Sequence, residues 1–451
     1  MVEYFTTHAS NLSFVIVHGN DISIHGDYDA RFQPVVDVLR KQVAHYGGGA
    51  AASVFLEGEC VVDVWAGDAR NDGTPWERDT MSLCFSTSKG VAATAIHMLA
   101  TEGLLDYDAP VSAYWPEFGQ KGKEGITVRQ VLAHQAGLHK TTPLIDDLTD
   151  ILDWDKIVSR LELTEPDFHP GTANGYHAMT FGWLVGELVH RVSGMSFPQF
   201  VQERIAAPLG LDGMHIGEAD GELDRIADLV GLPTIRRHGA DPLPQEYRAP
   251  AWLPKGPLRF LLDRGLTPKK TTELVTHPSF WKACIPAMNG VFTARSLAKM
   301  YSALSLGGEL DGTRLVSSDI VEKAAQVQMK RPDKVVLYPL HWRLGYHRAD
   351  ALLMDVPRAF GHYGTGGSGA WANPDLKLSA ALVHNGFPLS VTGQARTAFL
   401  TPAVYQSLGL YRGIAHTLRR GPIIELLPAR ATHPTGRLSG VEAVPAESAA
   451  A

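Results

Sequence analysis

The stretch FSTSKGVAATAIHML (85–99) opens with two hydroxyl residues and a lysine and then turns apolar. Ser86 and Lys89 are three positions apart, a spacing that puts both on one face of a helix. A hydroxyl beside an amine is one way to make a nucleophile. The run that follows is apolar on nearly all sides, as a helix buried in a core must be. Burial lowers the proton affinity of an amine, so a lysine here can take a proton at neutral pH. The same residues also fit a serine helix cap beside a lysine that snorkels to solvent. Ser-x-x-Lys occurs twice more, at Ser279–Lys282 and Ser296–Lys299, where exposed helix or loop is explanation enough.

Two further segments carry groups that such a pair needs. Tyr176, in PGTANGYHAMTFGWLVGE (170–187), precedes a second buried helix. A phenol near a cationic lysine is expected to have its pKa lowered and to pass protons; a core tyrosine is the plainer use. FGHYGTGGSGAW (360–371) is a glycine-rich stretch leading into a strand. Its glycines let backbone approach a substrate, and an exposed strand N–H can bind an oxyanion. A simple turn or bulge is the alternative. Ser368 does not sit in the Gly-x-Ser-x-Gly elbow of α/β-hydrolases, because that window ends in Ala370.

These groups must be positioned by the elements around them. AASVFLEGECVVDVWAGD (51–68) predicts two strands around Glu57-Gly58-Glu59, and 367–385 repeats the pattern around Asn373-Pro374-Asp375. Helical signals fill the middle: 88–105, a short amphipathic helix within 126–138, 180–194 and 294–308. Residues 217–285 are less regular and read as an excursion packed on a helical region. The layout predicts a mixed α/β (α+β) fold, with an antiparallel β-sheet built from both ends, flanked by helices, plus an all-helical lobe. We expect an extension over 1–24 and one domain over 25–415, its sheet lobe at about 25–85 and 290–415 and its helical lobe at about 86–289. A tail over 416–451 follows.

The 451 residues suffice for a large core, and the formal charge of −7 is spread without a basic stripe, which argues against nucleic acid as a partner. Three scattered cysteines (Cys60, Cys84, Cys284) fit a reducing compartment, and Cys84 reads as a small buried hydrophobe. No signal peptide or membrane-spanning run is read, so the expected location is cytoplasmic, with peripheral contact with a membrane left open. None of the nineteen histidines stands in a metal-binding spacing, and neither a metal nor a cofactor is expected. His134 reads as a structural hydrogen-bonder, and His177 either orients Tyr176 or is only its neighbour in the chain.

With Ser-x-x-Lys, Tyr and the glycine-rich strand in this order, the sequence resembles the serine β-lactamase and penicillin-binding-protein superfamily, in particular its family VIII carboxylesterase, class C β-lactamase-like branch. The resemblance runs from about Gly26 to His384. ITVRQVLAHQAGL, PGTANGYHAMTFGWLVGELV, IAAPLGLDGM, IPAMNGVFTARSLAKMYSALSLGGELDGTRLVS and FGHYGTGGSG are its five concordant segments. It implies Ser86 as the acylated nucleophile, Lys89 as the base and Tyr176 as the second proton carrier. The oxyanion site is implied at the N–H of Ser86 and one N–H near Thr365 to Gly367, with His362, Gly364 and Gly366 lining the same site.

Two departures bear on substrate. Ala178 stands where penicillin-directed members carry an asparagine, and His362 stands where they carry a cationic lysine. Both remove tools for a β-lactam or peptide carboxylate and leave the acylation machinery alone. The expected activity is therefore hydrolysis of a small-molecule carboxylic ester. A β-lactamase or D-amino-acid amidase, an acyltransferase, and a non-catalytic scaffold are the alternatives. Trp252, Phe260, Leu261, Phe280 and Trp281 supply either an acyl-pocket lining or the core of the helical lobe. Oligomeric state is not readable.

Overall fold

The computed structural model describes residues 22–235, 268–349, 351, 354, 356, 358–386 and 391–411. Strands β1 (His25–Tyr28), β2 (Gly49–Leu56) and β3 (Glu59–Gly67) come early; β4 (Ser82–Leu83), β5 (Met214–Ile216) and β6 (Gly290–Phe292) form a small sheet of their own. A short hairpin, β7 (Glu309–Leu310) and β8 (Thr313–Arg314), precedes the late strands β9 (His347–Arg348), β10 (Phe360–Tyr363), β11 (Gly369–Asn373) and β12 (Leu378–His384). The main sheet has the order β1-β3-β2-β12-β11-β10-β9 and every pairing is antiparallel. Its centre is the join between β2 and β12, so the two ends of the domain meet in the middle of the sheet. The small sheet was not expected from the sequence, because strands of two or three residues leave no readable alternation.

Local sequence explains the hairpins. Glu57 and Gly58 both take positive φ (53° and 92°), the turn geometry that matches the twist of paired strands. At the β11–β12 turn the Asn373 side chain accepts from Asp375 N–H and Lys377 closes the bend at φ 49°. Along β2 and β12 the side chains alternate between two cores. Ala50, Ala52, Val54, Leu378, Ala380 and Leu382 face one core, with helix α1 (Gln33–Tyr46) and the Arg396–Ser407 helix packed on that side. Ala51, Phe55, Ala381 and Val383 face the other, with the Ala294–Ser305 helix packed there.

Beyond that helix lies α2 (Ser88–Thr101), buried along Ser88–Leu99. Its apolar sequence has no polar face because it has no solvent face. Helix α3 (Val128–Leu132) opens with a capping box between Thr127 and Gln130. It ends earlier than the periodicity of 126–138 predicts, because His134 leaves the helix at φ 57° and turns inward. Helix α4 (Trp154–Leu163) packs on α5 (Thr180–Ser193), which packs on α2 and stops at Gly194 in the left-handed conformation, as the sequence indicates. Trp252, Phe260 and Leu261 lie outside the described residues; Phe280 and Trp281 are fully buried core.

Trp371 of β11 is fully buried on the sheet face that packs against α1, stacked on Tyr405. Trp371→Ala is expected to cost about 3–5 kcal/mol of stability through the cavity it leaves. The thermal midpoint should fall by several degrees. Specific activity at 25 °C should stay near wild type, because the site lies on the other side of the sheet; a midpoint left unmoved would show that the helix layer carries little of the stability.

Candidate active site

Ser86 lies in a 3₁₀ turn (Phe85–Thr87) that feeds directly into α2, one step before the helix proper. Phe85 takes a left-handed φ of 44°, a strained state for a bulky residue. The strain is held in place on both sides: Cys84 N–H donates to Gly290 O (2.9 Å), and Ser88 Oγ donates to Phe85 O (2.5 Å) while accepting from Gly290 N–H (3.0 Å). Small sheet and helix start thus present the Ser86 hydroxyl at the surface of the core.

Lys89 is fully buried, and its Nζ lies 2.9 Å from Ser86 Oγ and 2.9 Å from Ala287 O. Gly182 of α5 makes the second contact reachable, since a Cβ there would stand 2.4 Å from Ala287 N. Burial pushes the Lys89 amine well below the ordinary lysine value. Tyr176 OH donates to Ser86 Oγ from the opposite side at 2.8 Å. Its acidity corrects the expectation from sequence: burial of the phenol raises its pKa, and the carboxylate of Asp333 raises it further. Burial thus favours the neutral form of both partners of Ser86. An amine with a lone pair and a phenol with its proton flank one hydroxyl.

The glycine-rich stretch is a hairpin turn between β10 and β11, not the strand expected at Thr365–Gly367. It lies tightly on the Phe85–Thr87 turn: a Cβ on Gly364 would stand 2.1 Å from Cys84 O, and Thr87 Oγ1 donates to Ser368 O (3.1 Å). Within the turn Gly364 N–H donates to Ser368 O (2.7 Å), Gly366 N–H to Gln394 Oε1 (2.7 Å) and Gly367 N–H to Gly364 O (3.0 Å). Among these four described residues, Thr365 alone keeps an N–H without a protein acceptor, and it alone is exposed.

Three histidines surround Tyr176. His177 Nε2 accepts from Leu138 N–H (3.1 Å), so a neutral His177 carries its proton on Nδ1, which lies 3.3 Å from His134 Nδ1. His134 Nδ1 also accepts from His177 N–H (3.1 Å), which leaves the His134 proton on Nε2. The His134 ring meets Tyr176 edge-on at 5.2 Å. His177 therefore braces His134, and His134 touches Tyr176; the direct orienting role expected of His177 is replaced by this relay. Burial drives His177 down to about 3 and His134 well below the usual range. His362 is also buried and held neutral, its Nδ1 3.1 Å from Tyr363 O and its Nε2 without a partner among the described residues.

The other two Ser-x-x-Lys pairs lie elsewhere. Ser296 Oγ bonds Thr293 Oγ1 at a helix start, and Lys282 is exposed. Among the described residues no group of His, Cys, Asp and Glu could hold a metal ion.

A family model described as Beta-lactamase matches residues 35–403. The chain belongs to the beta-lactamase family. It is 37% identical over 409 residues to Esterase/beta-lactamase LipL of Mycobacterium tuberculosis, covering 88% of each chain. Its fold matches the crystal structure of a family VIII carboxylesterase with a TM-score of 0.74 at 33% identity, over 85% of this chain and 100% of that one. A penicillin-binding protein homolog from Caulobacter crescentus gives 0.70 at 34% identity, with the same coverage of 85% and 100%. The protein is a hydrolytic enzyme of the beta-lactamase fold.

This beta-lactamase family member also uses two residues that the sequence did not single out. Asp333 is buried and accepts from Tyr176 N–H (3.1 Å), Val335 N–H (2.8 Å) and Val336 N–H (3.1 Å) through Oδ1, and from Trp342 Nε1–H (2.9 Å) through Oδ2. Trp342 stacks on the Tyr176 ring at 5.3 Å and 21°. One carboxylate thus fixes both the backbone of Tyr176 and the indole that flanks its ring. Asp333→Asn keeps the shape but turns one acceptor into a donor facing the Trp342 N–H. It is expected to cost about 1–3 kcal/mol in thermal or urea unfolding and to lower kcat more than it raises KM, because a loosened Tyr176 is off its line to Ser86. Unchanged stability and kcat would show that the carboxylate is dispensable.

Proposed function

We propose that the protein hydrolyses carboxylic esters through an acyl-enzyme on Ser86. The observation that carries this reading is the pair of groups on the Ser86 hydroxyl, an amine and a phenol whose neutral forms burial favours, at 2.9 and 2.8 Å. Lys89 has the free lone pair, so it takes the Ser86 proton as Oγ attacks the ester carbonyl carbon. The carbonyl oxygen becomes an oxyanion, to which the N–H groups of Ser86 and Thr365 donate; neither has a protein acceptor among the described residues. As the tetrahedral adduct collapses, the C–O bond to the alcohol breaks and Tyr176 gives its proton to the departing oxygen. The proton on Lys89 then returns the phenolate to phenol. Water takes the alcohol's place, attacks the acyl carbon and yields its proton to the same pair, and Ser86 leaves reprotonated with the acid as product. Supporting roles fall to His134 and, through it, His177.

Choice of substrate follows from what the site lacks. A neutral, buried His362 gives no cation for a substrate carboxylate, and Ala178 offers no amide for a substrate peptide bond. An uncharged ester needs neither. The similarity to a family VIII carboxylesterase supports the same reading.

Hydrolysis of p-nitrophenyl butyrate tests this reading. Wild type should turn over steadily and a cephalosporin should react far more slowly. Ser86→Ala should cut ester hydrolysis by at least about a thousandfold; substantial remaining turnover would sink the nucleophile assignment. Tyr176→Phe should lower kcat by about 10²–10⁴-fold, the usual range for a general acid–base group.

The pH profile has a fixed sign. Lys89 works only when deprotonated, so activity must fall as pH drops through its folded-state pKa. Because burial depresses that pKa, the acidic limb of kcat/KM should lie far below the ordinary lysine value of 10.5. A limb near that value would contradict a buried amine as the base.

A further inference from the structure

Beside Tyr176, the loop of residues 329–338 (MKRPDKVVLY) departs from the rest of the surface. Val335, Val336, Leu337 and Tyr338 are 41%, 41%, 80% and 47% exposed, four consecutive large apolar side chains turned to solvent. Elsewhere among the described residues, exposed side chains of this kind are scattered singly, apart from Val327 near the base of the same loop. Around the apolar tip stand Lys330, Arg331 and Lys334, all exposed and none in an ion pair with a described carboxylate. Asp333, the loop's one acid, is buried and spends its oxygens on Tyr176, Trp342 and the loop's own N–H groups.

The tip is also preformed. Asp333 gathers the N–H groups of Val335 and Val336, Leu337 N–H donates to Asp333 O (2.9 Å), and Leu337 is held at φ 57°. Lys334 N–H donates to Asn174 O (2.9 Å) and its Nζ lies over the Phe168 ring at 4.7 Å. The apolar side chains are therefore displayed by a loop tied to the segment that carries Tyr176.

We propose that this loop docks the enzyme on an anionic lipid surface. Apolar side chains enter the headgroup boundary while three cations meet anionic lipids, the pairing such surfaces select. The chain as a whole carries −7, so an anionic bilayer repels most of the molecule and attracts this face. Docking there brings the mouth of the Ser86 site against the bilayer. Delivery of a bilayer-borne ester rests on the proposed esterase reading; docking itself does not.

Flotation of the full chain with vesicles of phosphatidylcholine, alone or mixed with phosphatidylglycerol, tests the proposal. Wild type should float with the mixed vesicles and lose binding as salt is raised. Val336→Asp with Leu337→Asp should cut binding by about tenfold or more. Lys330→Glu, Arg331→Glu and Lys334→Glu together should remove the preference for anionic lipid, each cation contributing roughly fivefold. Turnover of a water-soluble ester should be unchanged in both variants, which separates failed docking from failed chemistry. No flotation of wild type, or flotation untouched by both variants, overturns the proposal. So does a change confined to sedimentation, which would make the patch a contact between two copies of this chain.

Discussion

The burial of one amine governs this structure. A charged ammonium in the position of Lys89 would carry a desolvation penalty of several kcal/mol, so the fold favours the neutral form and sets an amine lone pair beside the Ser86 hydroxyl. That requires α2 to be buried on all sides, and hence a second layer of helices over it. It also gives the amine a backbone acceptor. Ala287 O is that acceptor, brought close by the absence of a side chain at Gly182. The same burial that frees the lone pair on Lys89 keeps the proton on Tyr176. One environment therefore sets two opposite roles, which no difference in charge partners would achieve so simply.

Around this pair the fold supplies rigid backbone in place of side chains. The turn that carries Ser86 is strained at Phe85, pinned by Gly290 and Ser88, and capped by the β10–β11 turn at a distance only glycine permits at position 364. The Tyr176 ring is flanked by other rings: His134 at its edge, Trp342 stacked on it and His362 stacked farther off at 6.3 Å. Together these keep the surroundings of the hydroxyl short of charge.

Much of this was legible in the sequence. The alternation of β2, β3, β11 and β12 and the all-apolar character of α2 showed where the sheet and the buried helix lie. The spacing of Ser86 and Lys89 offered that pair beside two others, and the family resemblance, carried by Tyr176, the glycine-rich stretch and the other concordant segments, singled it out. What stayed hidden has physical causes. The acidity of Tyr176 depends on how deeply the phenol is desolvated, which adjacency to a lysine does not reveal. Asp333 and Trp342 sit in a segment with no periodicity, and they matter only because the chain returns to Tyr176 from more than a hundred residues away. His134 breaks the helix it was read into because its ring is needed inside.

The join of β2 to β12 has a consequence for how the molecule comes into being. Residues 49–56 are made early and wait for partners at 378–384. Until that late strand arrives, the sheet is in two pieces and the edge of β2 is open. The turn that carries Thr365 lies in the same late segment, so a nascent chain can hold Ser86, Lys89 and Tyr176 and still lack the turn that packs against Cys84 and Thr87. Pairings this distant in sequence are slow to close and leave apolar edges exposed while they do. Activity should therefore appear only once β12 has been made, and a chain interrupted before it is inert as well as sticky.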